Sequence, residues 1–331
     1  MKAIILEEHG STRNFKLSNI PMPSVCKGHV ILKVCASSVN PVDCKIRNGM
    51  LAGIGPGVPG VLHGDVAGIV TDVGEGVIEF KKGDEVYGCI GGFKGMPGVL
   101  SEYALADIRL LALKPTSLSM TEAAVLPLIG ITSWNALIDR GKVSKGSRVL
   151  VHAGAGGVGH FGLQLAKAVG AEVHTTISSD FKKALVMGLG VDQAINYTQI
   201  KPEQYVEELV DGIGYDLVFD TVGGVCLDQS FIAAKEYGTV VSIAARANHD
   251  LTLVHVKSLS LHVVFMLLPI LKNCDRETHG QILGKISQLV DDGKLNPLLH
   301  DEEFSFEDVG RAHDCWESGN TIGKIALENT W

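Results

Sequence analysis

Residues 152–164 read HAGAGGVGHFGLQ and carry four glycines within positions 154–159. A glycine inside a strand or helix costs about 0.5–1 kcal/mol relative to alanine, so such a cluster needs a reason. The apolar run SRVLVHAG (147–154) leads into it as a buried strand would, and apolar side chains at helical spacing follow it. The stretch therefore predicts a strand, a glycine turn and a helix in immediate succession.

The three glycines Gly154, Gly156 and Gly159 fit the spacing G-x-G-x-x-G, with Gly157 and Val158 inside the loop. Between a strand and a helix this spacing is the fingerprint of a dinucleotide site. The first glycine is expected to make the turn, the second to admit a pyrophosphate, and the third to let the helix pack on the sheet. A tight strand–helix connection without a ligand is the alternative.

The end of the next strand indicates which dinucleotide is bound. An NAD site usually carries an acidic residue there, about 20 residues beyond the loop, whereas this chain has TTISS at 175–179. Ser178, Ser179 and Lys182 suit a ribose 2′-phosphate, through hydroxyl groups and positive charge. We therefore expect NADPH, with Lys182 on a solvated helix face as the alternative.

The chain changes character along its length. Residues 1–110 contain short strand-like runs separated by turns, which predicts an antiparallel or barrel-like β domain. From about residue 122, helices and strands alternate, which predicts a parallel sheet with right-handed crossovers. The tail from about 275 has a helix and a final strand, GKIALEN.

Composition narrows the class of protein. With 331 residues and 46% hydrophobic content, the chain is long enough for two domains. A net charge of −8 gives no reason to expect nucleic acid or an anionic membrane as a partner. The longest apolar run, VVFMLLPIL (263–271), is too short to span a bilayer. Seven cysteines without a C-x-x-C pair fit reduced thiols, and we expect a cytoplasmic protein.

Several segments, in this order, resemble one known family, the medium-chain dehydrogenase/reductase superfamily, in its zinc-free, zeta-crystallin-like quinone oxidoreductase branch. The resemblance covers nearly the whole chain. Besides the glycine loop, it rests on SSVNPVDCKIRNG (37–49), GDVAGIVTDVG (64–74), GDEVYG (83–88) and TEAAVLPLIGITSWNAL (121–137).

The resemblance implies an α/β fold in which a Rossmann doubly wound parallel sheet is inserted in a GroES-like β-barrel catalytic domain. Residues 1–122 and 268–331 would form the catalytic domain, and residues 123–267 the NADP-binding domain. The active site would lie in the cleft between them. The apolar run at 261–269 would form an edge strand of the Rossmann sheet through which two copies pair, and we therefore expect a homodimer.

The resemblance also implies residue roles near the reacting groups. Asn40 would donate its amide to the substrate oxygen, and Asp43 and Lys45 would form a supporting pair. A purely structural role of Asp43 and Lys45 in ordering the loop is equally open. Leu51 stands where related mitochondrial-type enoyl reductases have a catalytic tyrosine, which argues against acyl-thioester substrates.

For the cofactor, the resemblance places Thr132 near the nicotinamide and Tyr197 near the 2′-phosphate. Ser242 and Ala244, in the strand end SIAAR, would pass under the nicotinamide ribose. Tyr197 as a buried core side chain is the alternative. Lys324 is the one candidate for a basic contact to the cofactor from the C-terminal region.

No catalytic metal is expected. Asn40 stands where zinc-dependent relatives have cysteine, and Gly64 occupies the histidine slot, with His63 shifted by one position. A set of His63, Cys44 and Cys89 is the remaining option, although its spacing is wrong for zinc. We therefore expect a reductase of quinones or α,β-unsaturated carbonyl compounds. A zinc alcohol dehydrogenase and an NADPH-binding protein with little catalysis are the alternatives.

Overall fold

The computed structural model describes residues 1–331 and divides into two compact units. Unit 1 comprises Met1–Leu128, Leu267–Gly293 and Pro297–Trp331, and unit 2 comprises Ile129–Met266 and Lys294–Asn296. The first boundary thus follows Leu128 rather than residue 122, and the second follows Met266 rather than residue 267. The short segment 294–296 is tied to unit 2 because the Gln164 amide donates to the Asn296 carbonyl (2.9 Å) and accepts from its N–H (3.0 Å).

The first segment of unit 1 consists of short strands joined by turns and two short helices. Its strands are β1 (Lys2–Leu6), β2 (Phe15–Asn19), β3 (His29–Ser38), β4 (Gly60–Val61), β5 (Asp65–Val73), β6 (Glu85–Cys89), β7 (Tyr103–Asp107) and β8 (Leu111–Leu113). Its helices are α1 (Pro41–Arg47) and α2 (Met120–Ala124).

Helix α3 (Pro127–Trp134) and a π-helical turn (Asn135–Arg140) lead into unit 2, where strands and helices alternate. The strands are β9 (Arg148–Val151), β10 (Glu172–Ile177), β11 (Gln193–Asn196), β12 (Tyr215–Asp220), β13 (Ala234–Ser242) and β14 (Ser260–Val263). The helices are α4 (Gly157–Ala168), α5 (Asp180–Gly188), α6 (Pro202–Leu209), α7 (Val225–Ala233) and α8 (Thr252–Val256).

The chain then returns to unit 1 with three helices and a last strand, and this explains the strand character of the tail. These elements are α9 (Leu268–Lys272), α10 (Glu277–Asp291), α11 (Val309–Glu317) and β15 (Ala326–Glu328). Strand β15 pairs antiparallel with β3, so that Leu327 lies opposite Ser37.

The sheets of unit 1 are antiparallel, as its sequence predicts. One sheet has the order β2-β1-β4, and the other has the order β15-β3-β5-β6-β8, with β7 also paired to β3. The central strand β3 is buried along most of its length. Its pairing with β5, β7 and β15 brings residues from three distant stretches of sequence together.

Unit 2 confirms the predicted doubly wound parallel sheet. Its order is β11-β10-β9-β12-β13-β14, with every neighbouring pair parallel. The strand order reverses between β9 and β12, and the carboxyl ends of strands at such a reversal form the usual ligand crevice of this architecture. Buried side chains such as Leu150, Tyr215 and Phe231 form one continuous core cluster around the sheet. None of the helices combines the length and apolar character needed to cross a membrane.

The apolar run at 261–269 is an edge strand only in its first part. Strand β14 ends at Val263, and α9 begins at Leu268. Proline has no N–H group to donate to a strand ladder, and Pro269 instead occupies the first turn of α9. The expected edge position is confirmed, but the strand is shorter than expected, since it ends at Val263, six residues before Pro269.

Candidate functional site

The glycine loop follows strand β9, and its glycines serve different purposes. A Cβ on Gly154 would lie 2.1 Å from the Thr175 hydroxyl oxygen, and one on Gly159 would lie 2.1 Å from the Ala153 carbonyl oxygen. Both glycines are therefore required by the packing of the chain itself. A Cβ on Gly156 would meet only that same carbonyl oxygen, at 3.2 Å. Gly156 thus leaves open space at its surface, and this is the space that a bound pyrophosphate would need.

The turn itself is made by a residue other than the one that the sequence indicated. Ala153 has φ +54°, in the left-handed region, whereas Gly154 does not have a positive φ. Gly154 is needed instead because Thr175, on the neighbouring strand β10, packs against it. The spacing of the motif identified Gly154, but it could not show that packing against Thr175 is what requires a glycine there.

Helix α4 begins at the open end of this loop. Gly156 is its N-cap, no side chain caps the helix, and no acidic residue lies in its first turn. The first N–H groups of a twelve-residue helix are thus left to bind an anion, with the positive end of the helix dipole behind them. Gly157 and Val158 are the first two residues of the helix. The loop and helix fit the pyrophosphate of a dinucleotide.

The residues expected near a 2′-phosphate lie together at the end of β10. The Ser179 hydroxyl accepts from the Lys182 N–H (3.3 Å) as the cap of α5, and the Lys182 ammonium donates to the Ser178 hydroxyl (3.3 Å). Tyr197 directly follows β11, and its N–H donates to the Ile177 carbonyl (3.1 Å). Its side chain is 56% exposed, so the alternative of a buried core tyrosine is wrong. The group offers three hydroxyls and one ammonium, which fits a phosphate.

A further polar group lies at the ends of β12 and β13. The Ser242 hydroxyl donates to the Asp220 carboxylate (2.6 Å) and accepts from the Ala244 N–H (3.2 Å). The same carboxylate accepts from the Gly223 N–H (2.8 Å) and is fully buried. Thr132 is also buried, within α3. Sequence analysis missed Asp220, although an acid that ends the apolar strand YDLVFD was the available signal.

Unit 1 holds a separate, buried polar cluster around Asn40. The Asn40 amide donates to the Asp65 carboxylate (2.8 Å), and its carbonyl oxygen accepts from the Lys324 ammonium (2.5 Å). The Asn40 N–H donates to the Asp43 carboxylate (2.8 Å), which fixes the start of α1. Lys324 also donates to the Val39 carbonyl (2.7 Å). All four polar side chains are almost completely buried: Asn40, Asp43, Asp65 and Lys324.

The charges of this cluster are coupled. Burial raises the pKa of Asp43 to about 7, against the opposing effects of the Asn40 N–H and the Lys324 ammonium. Burial also raises the pKa of Asp65 and lowers that of Lys324, and in each case the opposite charge counteracts the shift. Two carboxylates and one ammonium carry one surplus negative charge. One proton on Asp43 near neutral pH would remove it.

The predicted pair of Asp43 and Lys45 is not present. Lys45 is half-buried near the end of α1 and forms no ion pair, whereas Lys324 is the cation that acts on Asp43. Lys324 is therefore engaged within unit 1, where its ammonium donates two of its three hydrogens to Val39 and Asn40. The separation of 284 residues between Lys324 and Asn40 explains why the sequence pattern did not reveal this contact.

The residues at the positions of a catalytic zinc do not fit that ion. A Cβ on Gly64 would lie 2.6 Å from the Gly91 carbonyl oxygen, so no side chain fits in the histidine slot. His63 is fully buried and directs its Nε2 to the Nε2 of His313 (2.9 Å). Burial lowers the pKa of His63 to about 3. The positive charge of the Lys324 ammonium also lowers the pKa of His63.

The alternative zinc set of His63, Cys44 and Cys89 does not assemble either. Their ligand atoms are not part of any group of three that converges in the structure. Burial raises the pKa of both thiols far above neutrality, so both are protonated.

Comparison with known proteins agrees with both units. The sequence profile of the "Alcohol dehydrogenase GroES-like domain" family matches residues 26–116, and that of the "Zinc-binding dehydrogenase" family matches residues 189–327. An NADPH-dependent alkenal/one oxidoreductase of chloroplasts from Arabidopsis thaliana is 34% identical over 334 residues, which cover 99% of this chain and 79% of that protein.

Solved structures give the same result. An alcohol dehydrogenase superfamily protein from Novosphingobium aromaticivorans has a TM-score of 0.95 and 38% identity, covering 99% of both chains. The quinone oxidoreductase of Escherichia coli in complex with NADPH has a TM-score of 0.88 and 25% identity, covering 99% of this chain and 100% of that one. The chain therefore belongs to the medium-chain dehydrogenase/reductase superfamily, as an oxidoreductase of its quinone oxidoreductase-like branch.

Proposed function

We propose that this protein is an NADPH-dependent reductase of quinones or α,β-unsaturated carbonyl compounds that works without a catalytic zinc. The observation that carries the proposal is the cluster of Asn40, Asp65 and Lys324, together with the closed slot at Gly64. These residues replace a zinc ligand set with an internally satisfied network. The alkenal/one and quinone activities in the names of the relatives support the substrate class.

The cofactor would be held by unit 2. The open surface of Gly156 and the start of α4 would take the pyrophosphate, and Ser178, Lys182 and Tyr197 the 2′-phosphate. Thr132, Ser242 and Ala244 would lie on the nicotinamide side. These last three assignments rest on the family resemblance. When bound, NADPH supplies the hydride, and the protein supplies binding and orientation.

The cluster of unit 1 would supply the electrostatics of the reaction. Hydride transfer to a quinone or enone puts negative charge on an oxygen, which a nearby donor stabilises. The Asn40 side chain is 1% exposed, and one of its two amide hydrogens is used by Asp65. The proposed hydrogen bond from Asn40 to the substrate oxygen would use the second amide hydrogen. Asp43, with a pKa of about 7, is the group that can hold a proton near neutral pH. The backbone carbonyl of Lys45 accepts from the Leu51 N–H (2.8 Å), and we assign its side chain no part in the reaction.

Turnover measurements test this proposal. Oxidation of NADPH and of NADH is followed with benzoquinone, phenanthrenequinone and an aliphatic enone, with and without EDTA. We expect faster turnover with NADPH that survives EDTA. Loss of turnover in EDTA, restored by zinc, would instead favour an alcohol dehydrogenase of the zinc type. Tight NADPH binding without turnover on any acceptor would favour a binding protein.

Two variants of α1 test the role of the buried cluster. Asp43→Asn removes the titratable proton, and we expect it to lower kcat and to flatten the pH profile near neutrality. Lys45→Met is the matched control, since Lys45 lies on the same helix outside the hydrogen-bonded cluster, and we expect turnover close to wild type. Equal loss in both variants would mean that α1 matters only as a structural element.

We also propose a homodimer formed through the edge strand β14. Strand β14 pairs only with β13, which leaves its other edge unpaired, and Val263 at its end is 58% exposed. An unpaired apolar edge is a template for pairing with a second copy. Light scattering after size-exclusion chromatography should give twice the mass of the chain, and Val263→Lys should shift the protein toward monomer. A monomeric wild-type protein would refute the dimer.

A further inference from the structure

Three side chains with metal-ligand chemistry converge in unit 1, and none of them belongs to the hydrogen-bonded Asn40 cluster. His300, Glu302 and Cys315 each place one ligand atom so that all three lie within 4.8 Å of one another. The His300 Nε2 and the Cys315 Sγ are 3.4 Å apart. We propose that these three residues bind one zinc-class divalent cation at a site that is separate from the reaction centre.

The three ligands lie on two segments of the chain, the stretch with His300 and Glu302 and the helix α11 with Cys315. The His300 N–H donates to the Lys324 carbonyl (2.8 Å), which anchors the segment carrying His300 and Glu302. Cys315 lies on helix α11, whose first residue Val309 is fully buried. Both His300 and Cys315 are half-buried, and only Glu302 is exposed. A pre-formed pair of soft ligands beside an exposed carboxylate gives the cation a path of entry.

The distance between His300 and Cys315 suits two ligands of a tetrahedral ion. Zinc binds thiolate sulfur at about 2.3 Å and imidazole nitrogen at about 2.0–2.1 Å, so two such ligands of one ion lie about 3.5 Å apart. Without metal, the Cys315 Sγ and the His300 Nε2 form a hydrogen bond at 3.4 Å, so an ion could replace the shared proton with little movement of either ligand atom. Three protein ligands leave a fourth position for water. The thiol of Cys315 is protonated without metal, because burial raises its pKa. Binding would release that proton to solvent.

Arg311 acts on the third ligand. Its guanidinium donates to the Glu302 Oε1 (2.7 Å) and to the Asp308 carboxylate (2.8 Å). One carboxylate oxygen of Glu302 is thereby held, which leaves the other for the cation. Residues that orient a metal ligand in this way typically contribute about 10–100-fold to metal affinity. Arg311 is therefore a positioning residue of the proposed site.

A metal ion at this site would be found in the purified protein whether or not turnover needs it. Zinc found in the purified protein would come from this site and not from the positions of Asn40 and Gly64. Metal content and turnover must therefore be measured separately on the same variants. A zinc-bound protein that keeps its turnover after zinc removal would agree with both the proposed function and this site.

The test uses the full chain, stripped with chelator and kept reduced, and titrated with Co²⁺ alone and then with Zn²⁺. Thiolate-bound Co²⁺ gives a charge-transfer absorption that Zn²⁺ abolishes on displacement. We expect one equivalent in wild type and in Cys274→Ser, the control for an exposed thiol. The absorption should be lost in Cys315→Ser and in His300→Ala, and Arg311→Ala should weaken Co²⁺ binding by about 10-fold or more.

A second measurement covers the case that a variant fails to fold. In the wild-type protein, Zn²⁺ should slow alkylation of Cys315, measured by mass spectrometry, and leave alkylation of Cys274 unchanged. Absence of a thiolate absorption in wild type, its persistence in Cys315→Ser, or equal protection of both cysteines would each refute the site. None of these outcomes depends on whether quinone or enone turnover is observed.

Discussion

Adding one methyl group should distinguish the glycine of the cofactor loop that faces open space from the glycine that the packing of the chain requires. The perturbation is Gly156→Ala compared with Gly159→Ala. Gly156 has φ −85° and ψ 172°, which alanine adopts freely, and its added Cβ needs the Ala153 carbonyl to yield by only a few tenths of an ångström. At Gly159 the Cβ would lie 2.1 Å from the Ala153 oxygen and 2.8 Å from its carbonyl carbon. The backbone would therefore have to move by more than an ångström.

Because of these contacts, Gly156→Ala should lose NADPH affinity but keep its stability, whereas Gly159→Ala should lose stability. Alanine at an N-cap costs about 0.5–1 kcal/mol relative to glycine, and the reduced freedom of the unfolded chain returns about 0.4–1 kcal/mol. Gly156→Ala should thus keep nearly wild-type stability. Overpacking costs about 1–3 kcal/mol, so Gly159→Ala should lower Tm by about 2–12 °C. Affinity for NADPH should fall by about 10–100-fold in Gly156→Ala, because the methyl occupies the space of the pyrophosphate.

The assay combines thermal unfolding of the ligand-free variants with titration of NADPH fluorescence. Gly188→Ala is the control in the same unit, since no atom lies within 4 Å of its added Cβ. It should bind NADPH as wild type does and be stabilised by about 0.5–1 kcal/mol. Wild-type NADPH affinity in a stable Gly156→Ala would refute the pyrophosphate position. Wild-type Tm in Gly159→Ala would refute the packing argument.

Three further outcomes are expected. Lys324→Met leaves buried carboxylates without a cation and should lower the free energy of unfolding by about 3–5 kcal/mol in urea titrations, and a loss below about 1 kcal/mol would contradict the cluster. Burial lowers the pKa of His63 to about 3 and that of His313 well below its usual range. Below about pH 6.5 each histidine takes up a proton in the unfolded chain but not in the folded one. For each histidine, the free energy of unfolding should therefore fall by about 1.4 kcal/mol per pH unit as the pH is lowered from 6.5 towards the folded-state pKa. Relative to wild type, His313→Leu should therefore flatten the acid limb of stability, and an unchanged limb would show that the buried pair does not control it. Lys182→Ala should weaken binding of NADPH by about 10–100-fold in equilibrium titrations with little effect on NADH, whereas Lys183→Ala should discriminate as wild type does.

Contiguous sequence determined the architecture of unit 2 and the place of its cofactor loop. The run from β9 through the glycines into α4 is read from neighbouring residues, because strand and helix periodicity and glycine spacing are local properties. The same holds for Ser178, Ser179 and Lys182, which lie within one turn of a strand end. The run at 261–269 marks the limit of this reasoning, since its apolar pattern continues beyond Val263, where strand β14 ends.

Only the tertiary structure decided which residues surround Asn40. Lys324 reaches it across 284 positions, and His63 meets His313 across 250, because strand pairing in unit 1 joins the two ends of the chain. No local pattern encodes such contacts, and the predicted partner Lys45 was chosen because it is near in sequence. The closed space at Gly64 is likewise a property of packing against Gly91. Sequence determined what each segment becomes, and the close approach of distant segments decided which charges meet in the buried interior.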